Sequence, residues 1–135
     1  MDQPARSMEE VVRDDGRYAP EAFGFLHDGL NRAVEDAHGL AEPEDPELES
    51  PHRHVTGQEL AWALRDVAID RWGMLARTVL RRWGIRRTID FGNMVYLMIE
   101  AGFMRKTDED SLEDFRDVYD FDEAFSFKGE FELKE

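Results

Sequence analysis

Residues 73–107 read GMLARTVLRRWGIRRTIDFGNMVYLMIEAGFMRKT, and this stretch decides the fold class. Ala76, Val79, Leu80 and Trp83 recur at helical spacing, with Arg77, Arg81 and Arg82 on the other face, so residues 74–83 form a short helix. Gly84 ends it. Thr88 is placed to cap the next helix, which runs to residue 101 with Phe91, Met94, Val95 and Met98 inward, and Gly102 stops it. Residues 103–107 then read as a strand, and Asp108, Glu109, Asp110 and Ser111 as a turn. Residues 112–118 read as the returning strand of a β-hairpin. A helix capped by Ser111 is the competing reading, because Leu112, Phe115 and Tyr119 also share a helical face. Tyr119, Phe121 and Phe125 follow as aromatic anchors.

Upstream, Thr56 and Glu59 make a capping box for a helix ending at Trp72, with Leu60, Leu64, Val67 and Ala68 as its core stripe. Further back, Ser7 and Glu10 open a helix that Gly16 closes. Pro20 starts another, with Phe23, Leu26, Leu30, Val34 and Ala37 on one face. The fold class is mainly α (α+β): a five-helix domain whose last three helices plus a C-terminal β-hairpin are winged-helix-like. The organisation is one domain over residues 1–126 and a tail over 127–135. Within the domain, 1–40 is an N-terminal helical pair, 41–54 an acidic Pro-rich linker, and 55–126 the winged-helix-like unit. The linker sequence AEPEDPELESP (41–51) carries three prolines, which excludes a helix or a buried strand.

Charge is the second strong signal. Of 135 residues, 31 are acidic and 17 basic, net −14. Residues 71–87 hold six arginines and no acidic side chain, whereas residues 1–70 hold 6 basic and 17 acidic, and residues 88–135 hold 5 and 14. A cationic island in an anionic chain is where an anionic partner docks, or where the protein's own acidic parts fold back. The basic side chains are 14 Arg and only 3 Lys. Surplus carboxylates with few lysines suit a salt-accumulating cytoplasm, where repulsion is screened over about 3 Å at 1 M salt. Stability in urea is therefore expected to rise from low to molar KCl; equal stability at low salt contradicts this halophilic reading.

Six motif groups, His54–Leu60 (HVTGQEL), 83–92 (WGIRRTIDFG), Glu100–Gly102, 106–111 (KTDEDS), 113–115 (EDF) and 119–125 (YDFDEAF), resemble a family of short uncharacterised bacterial proteins of planctomycete–verrucomicrobial type. The likeness covers about residues 18–125. It implies no activity and no site residue.

No chemistry-bearing motif emerges. The histidines are His27, His38, His52 and His54, and His52 with His54 supplies too few ligands for a metal. A calcium loop starting at Asp108 fails, because Leu112 and Glu113 fall where an oxygen ligand and glycine are needed. There is no cysteine, no phosphate loop and no dinucleotide fingerprint. No cofactor, metal or enzyme activity is expected. Met1 to Glu10 contains no apolar signal core and no apolar run reaches about 18 residues, which gives a cytoplasmic, non-membrane expectation.

Two functions compete. One is a protein-interaction or scaffold module binding a protein partner or a second copy through the outer face of the 88–101 helix: Asp90, Asn93, Leu97 and Glu100. The other is nucleic-acid binding, RNA more than DNA, through Arg77, Arg81, Arg82, Arg86, Arg87, Arg105 and Lys106. The carboxylates on that outer face disfavour a DNA-reading helix. Trp62, Trp72 and Trp83 read as packing residues, with Trp62 off its helix's main stripe.

Overall fold

The computed structural model describes residues 7–38, 55–105 and 110–126. The proposed linker 41–54, Lys106 and the tail 127–135 lie outside the described residues. The chain is mainly α. In order it runs α1 (Met8–Asp15), α2 (Pro20–His38), α3 (Gly57–Trp72), a 3-10 turn (Gly73–Leu75), α4 (Ala76–Arg82), α5 (Thr88–Glu100), a second 3-10 turn (Leu112–Phe115) and α6 (Phe121–Ala124).

Both expected capping boxes form. The Ser7 and Glu10 side chains accept from each other's backbone N–H at 3.2 and 3.1 Å. Thr56 and Glu59 do the same at 3.0 and 2.8 Å. Each satisfies two of the N–H groups that a helix start leaves without partners.

α2 and α3 make the largest helix–helix contact. The buried face of α2 is wider than the sequence stripe. Phe23 and Leu26 are buried as expected, but Ala22, Phe25 and Ala33 are buried too, while Leu30 and Val34 are only half-buried. The reason is Phe25. Its ring centroid lies 5.4 Å from Trp72 and 5.9 Å from Trp83, and the two indoles meet edge-on at 5.3 Å. The tryptophans of the basic stretch therefore close a second layer over α2, and its arginines are left outside.

Three corrections follow in the C-terminal half. First, Thr88 does not cap α5; it is the helix's first residue and is 1% exposed. Its hydroxyl donates to the Phe115 carbonyl at 2.7 Å and accepts from the Val118 N–H at 3.1 Å. The α5 N-terminus is served instead by Asp90, whose carboxylate accepts from the Arg86 and Arg87 N–H groups at 2.8 and 3.0 Å.

Second, the chain leaving α5 wraps onto the helix end rather than extending. Phe103 N–H donates to the Met98 carbonyl at 2.8 Å and Gly102 N–H to Ile99 at 3.1 Å, with Gly102 left-handed. This Schellman arrangement satisfies the last carbonyls of α5.

Third, no strand occurs among the described residues, and Leu112–Phe115, expected as the returning hairpin strand, is a single 3-10 turn. Ser111 caps it, as the competing helix reading required: its Oγ accepts from Glu113 N–H at 3.0 Å and its own N–H donates to Asp114 at 3.2 Å. Extension to a full helix is blocked because Arg116 is extended and Asp117 has φ +50°. The backbone groups that a hairpin would pair across strands are taken by Ser111, Asp114 and Thr88. Phe115 is the anchor. It lies so close to Gly92 that a Cβ there would sit 2.7 Å from its ring.

The chain then closes through aromatics. Phe121 packs on Phe91 at 6.0 Å and on Phe125 at 5.2 Å. The Tyr119 hydroxyl donates to the Ala61 carbonyl at 2.8 Å, and Arg65 Nε donates to the Ala124 carbonyl at 3.0 Å, capping α6.

Candidate functional site

The basic stretch is built by α4 and the loop into α5. Ala76 and Leu80 are fully buried, which fixes the rotation of α4 and turns Arg77, Thr78, Arg81 and Arg82 outward. Arg86 and Arg87 are exposed in the loop. Two arginines of the stretch fold back onto the protein: Arg71 pairs with Asp28 of α2, and Arg77 with Asp122 of α6. Both pairs are exposed, so each contributes no more than about 1 kcal/mol. Among the described residues the guanidinium groups of Arg81, Arg82, Arg86 and Arg87 have no carboxylate partner. The backbone N–H groups of Arg86 and Arg87, just before the α5 N-terminus, are taken by the Asp90 carboxylate. Arg105 is exposed but lines a cavity between α2, α3 and α5. Lys106 lies outside the described residues.

The expected protein-contact face on α5 is largely engaged inside the molecule. Asp90, besides closing the helix start, accepts from the Tyr18 hydroxyl at 2.7 Å, and Asn93 Nδ2 donates to the same hydroxyl at 3.1 Å. Burial, and then the hydrogen bond to Asp90, push the Tyr18 phenol up to about 12, so it stays a proton donor at physiological pH. Leu97 is half-buried against the core, and only Glu100 is exposed. Sequence periodicity put these residues on one face of the helix. It had no means to show that the turn between α1 and α2 lies across that face, held by Tyr18 and by the Ala19 N–H donating to the Trp83 carbonyl at 3.1 Å.

The sequence reading gave no role to Met74 and Leu75. They form the 3-10 turn that opens α4 and are 63% and 62% exposed, the two most exposed large apolar side chains among the described residues. Both precede the first buried residue of α4, Ala76. Trp62 is 45% exposed and packs on Tyr119 at 4.5 Å, consistent with its place off the α3 stripe.

The other feature is a cavity of about 460 Å³ between α2, the start of α3, the end of α5 and the second 3-10 turn. Phe23, Leu26, Leu60, Val95, Met98 and Phe115 supply its apolar wall, and His27, Tyr96, Arg105, Asp110 and Asp114 its polar groups. Each apolar member reads in sequence as an ordinary core residue, so nothing in the pattern announces a cavity. Among the described residues no group of three or more His, Asp or Glu side chains could hold a metal ion, and no helix is long and apolar enough to cross a membrane. No family model, curated protein or solved structure matches the chain.

Proposed function

We propose that this protein is a small interaction module that docks an acidic, partly apolar protein surface on α4 and its flanking turns. One observation carries the reading: Met74 and Leu75 stand exposed in the turn that opens α4, the helix on which Arg81 and Arg82 are exposed, within the 71–87 stretch that holds six arginines and no acidic side chain. Arginine and methionine are among the side chains enriched in protein interfaces. A phosphate backbone gains nothing from two aliphatic side chains, and it meets repulsion from the remainder of a chain of net −14. The docking surface is thereby α4 rather than the α5 face. In this reading α3, α4 and α5 act as the winged-helix-like core.

Nucleic-acid binding is the second reading. It is favoured by the four arginines, 81, 82, 86 and 87, that carry no carboxylate partner among the described residues. A pull-down from native lysate with and without nuclease separates the two. Wild type is expected to retain a nuclease-resistant partner. Arg81→Glu/Arg82→Glu/Arg86→Glu and Met74→Asp/Leu75→Asp are each expected to lose it while folding normally, since these positions are exposed. Release of the partner by nuclease supports RNA or DNA instead. Retention by both variants contradicts both readings.

A further inference from the structure

We propose that residues 127–135 (FKGEFELKE) occupy the α4 surface from within the same chain, over Met74 and Leu75, and that an outside partner binds by displacing them. The inference rests on α4 being a docking surface. Position is the first argument. Asp122 of α6 pairs with Arg77 of α4, and the described chain ends four residues later, at Ser126. Arg77 follows Met74 and Leu75 by three and two residues and precedes Arg81 by four. Four residues span at most about 14 Å and nine at most about 32 Å. One turn of α4 rises only about 5 Å. The segment that continues from Ser126 therefore starts close to α4 and is long enough to run its whole length.

Composition is the second. Glu130, Phe131, Glu132 and Leu133 alternate acidic and apolar side chains, with no basic residue among the four. That matches a surface of two exposed apolar side chains followed by Arg81 and Arg82, which carry no carboxylate partner among the described residues. α6 already uses such a pair on α4: Phe121 is buried, and its neighbour Asp122 reaches Arg77. Phe131 and Glu132 repeat the same aromatic–acid pair ten residues on. A segment tethered at this distance acts at an effective concentration on the order of millimolar. Even a weak contact then keeps the surface covered for much of the time, and an outside partner's apparent affinity falls by that fraction.

The chain has no cysteine, so Lys134→Cys takes a single nitroxide label. In the labelled full chain the amide signals of Met74, Leu75 and Thr78 are expected to broaden, and to recover when Phe131→Ser/Leu133→Ser is added. A mixture of labelled chain with unlabelled, isotope-enriched chain is expected to show no broadening. Without the label, Phe131→Ser/Leu133→Ser is expected to bind a peptide of alternating Glu and Leu about fivefold more tightly than wild type. Absence of broadening, or broadening that survives the double serine variant, overturns the proposal. Broadening in the mixture overturns it too, because the occupant is then a second copy. A peptide that binds wild type and variant equally overturns it while leaving α4 as a docking surface. A peptide that binds neither overturns the reading of α4 itself, and this inference with it.

Discussion

Gly84→Ala is expected to destabilise the protein by about 3–4 kcal/mol, read as a lower urea midpoint at unchanged slope. Two costs combine. Gly84 has φ +94°, a backbone conformation in which a Cβ is strained by roughly 1–2 kcal/mol. The added Cβ would also sit 2.4 Å from the Arg17 carbonyl oxygen and 3.4 Å from the Tyr18 ring. The oxygen is backbone, so no side-chain rotation relieves the contact. The turn between α1 and α2 has to move away, and it is the turn that places Ala19 N–H on the Trp83 carbonyl and Tyr18 on Asp90. Losing those two hydrogen bonds adds about 1 kcal/mol each. Arg86→Ala, two residues on and exposed, is the control and is expected to change stability by less than about 0.5 kcal/mol. A Gly84→Ala protein as stable as wild type would show that the two turns are not in contact.

The second large effect is expected at Thr88. Thr88→Val keeps the shape and removes the hydroxyl, which leaves the Phe115 carbonyl without its donor and the Val118 N–H without its acceptor. The expected cost is about 2–3 kcal/mol, because groups left unsatisfied on burial forfeit their full desolvation energy. Thr88→Ser keeps the hydroxyl and loses only a methyl, for about 1 kcal/mol. Valine costing less than serine would mean that packing, not the two hydrogen bonds, is what Thr88 contributes. The loss should be local before it is global. Amide exchange of Phe115 and Val118 is expected to accelerate more than that of α3 at the same denaturant concentration.

Both sites depend on partners distant in sequence, which local rules do not encode. Helix existence and boundaries followed from local rules that sequence carries directly: capping boxes at Ser7 and Thr56, proline at the start of α2, single glycines at helix ends. The direction of the tryptophans in the basic stretch was legible for the same reason, since Trp83 fell on the stripe with Ala76 and Leu80. What failed required partners distant in sequence. Thr88 has the residue type and position of a cap, and only the return of residues 115–118 to its side, 27 and 30 positions on, gives its hydroxyl a better use. Asp90 and Asn93 lie on an outer helix face by periodicity, and Tyr18, 72 and 75 positions away, covers them. The 112–118 segment carries both a strand pattern and a helix pattern. A local device, the Ser111 cap, together with the left-handed Asp117, resolves it as neither in full.

For the candidate surface, the sequence located the charge and the structure sorted it. Arg71 and Arg77 belong to internal pairs, Arg105 to the cavity, and Arg81, Arg82, Arg86 and Arg87 to the open surface. Met74 and Leu75 add two exposed apolar side chains at the start of the helix that carries Arg81 and Arg82. The reading of a protein partner over a nucleic acid depends on those two residues.

The most direct measurement is fluorescence anisotropy with two probes of equal negative charge, an alternating Glu/Leu peptide and a poly(U) oligonucleotide, at 0.15 M salt. The account predicts that the peptide binds more tightly, and that Met74→Asp/Leu75→Asp removes the peptide's advantage while leaving the oligonucleotide's weaker affinity little reduced. An oligonucleotide that binds as well as the peptide or better, or a peptide whose affinity is unchanged by that variant, contradicts it.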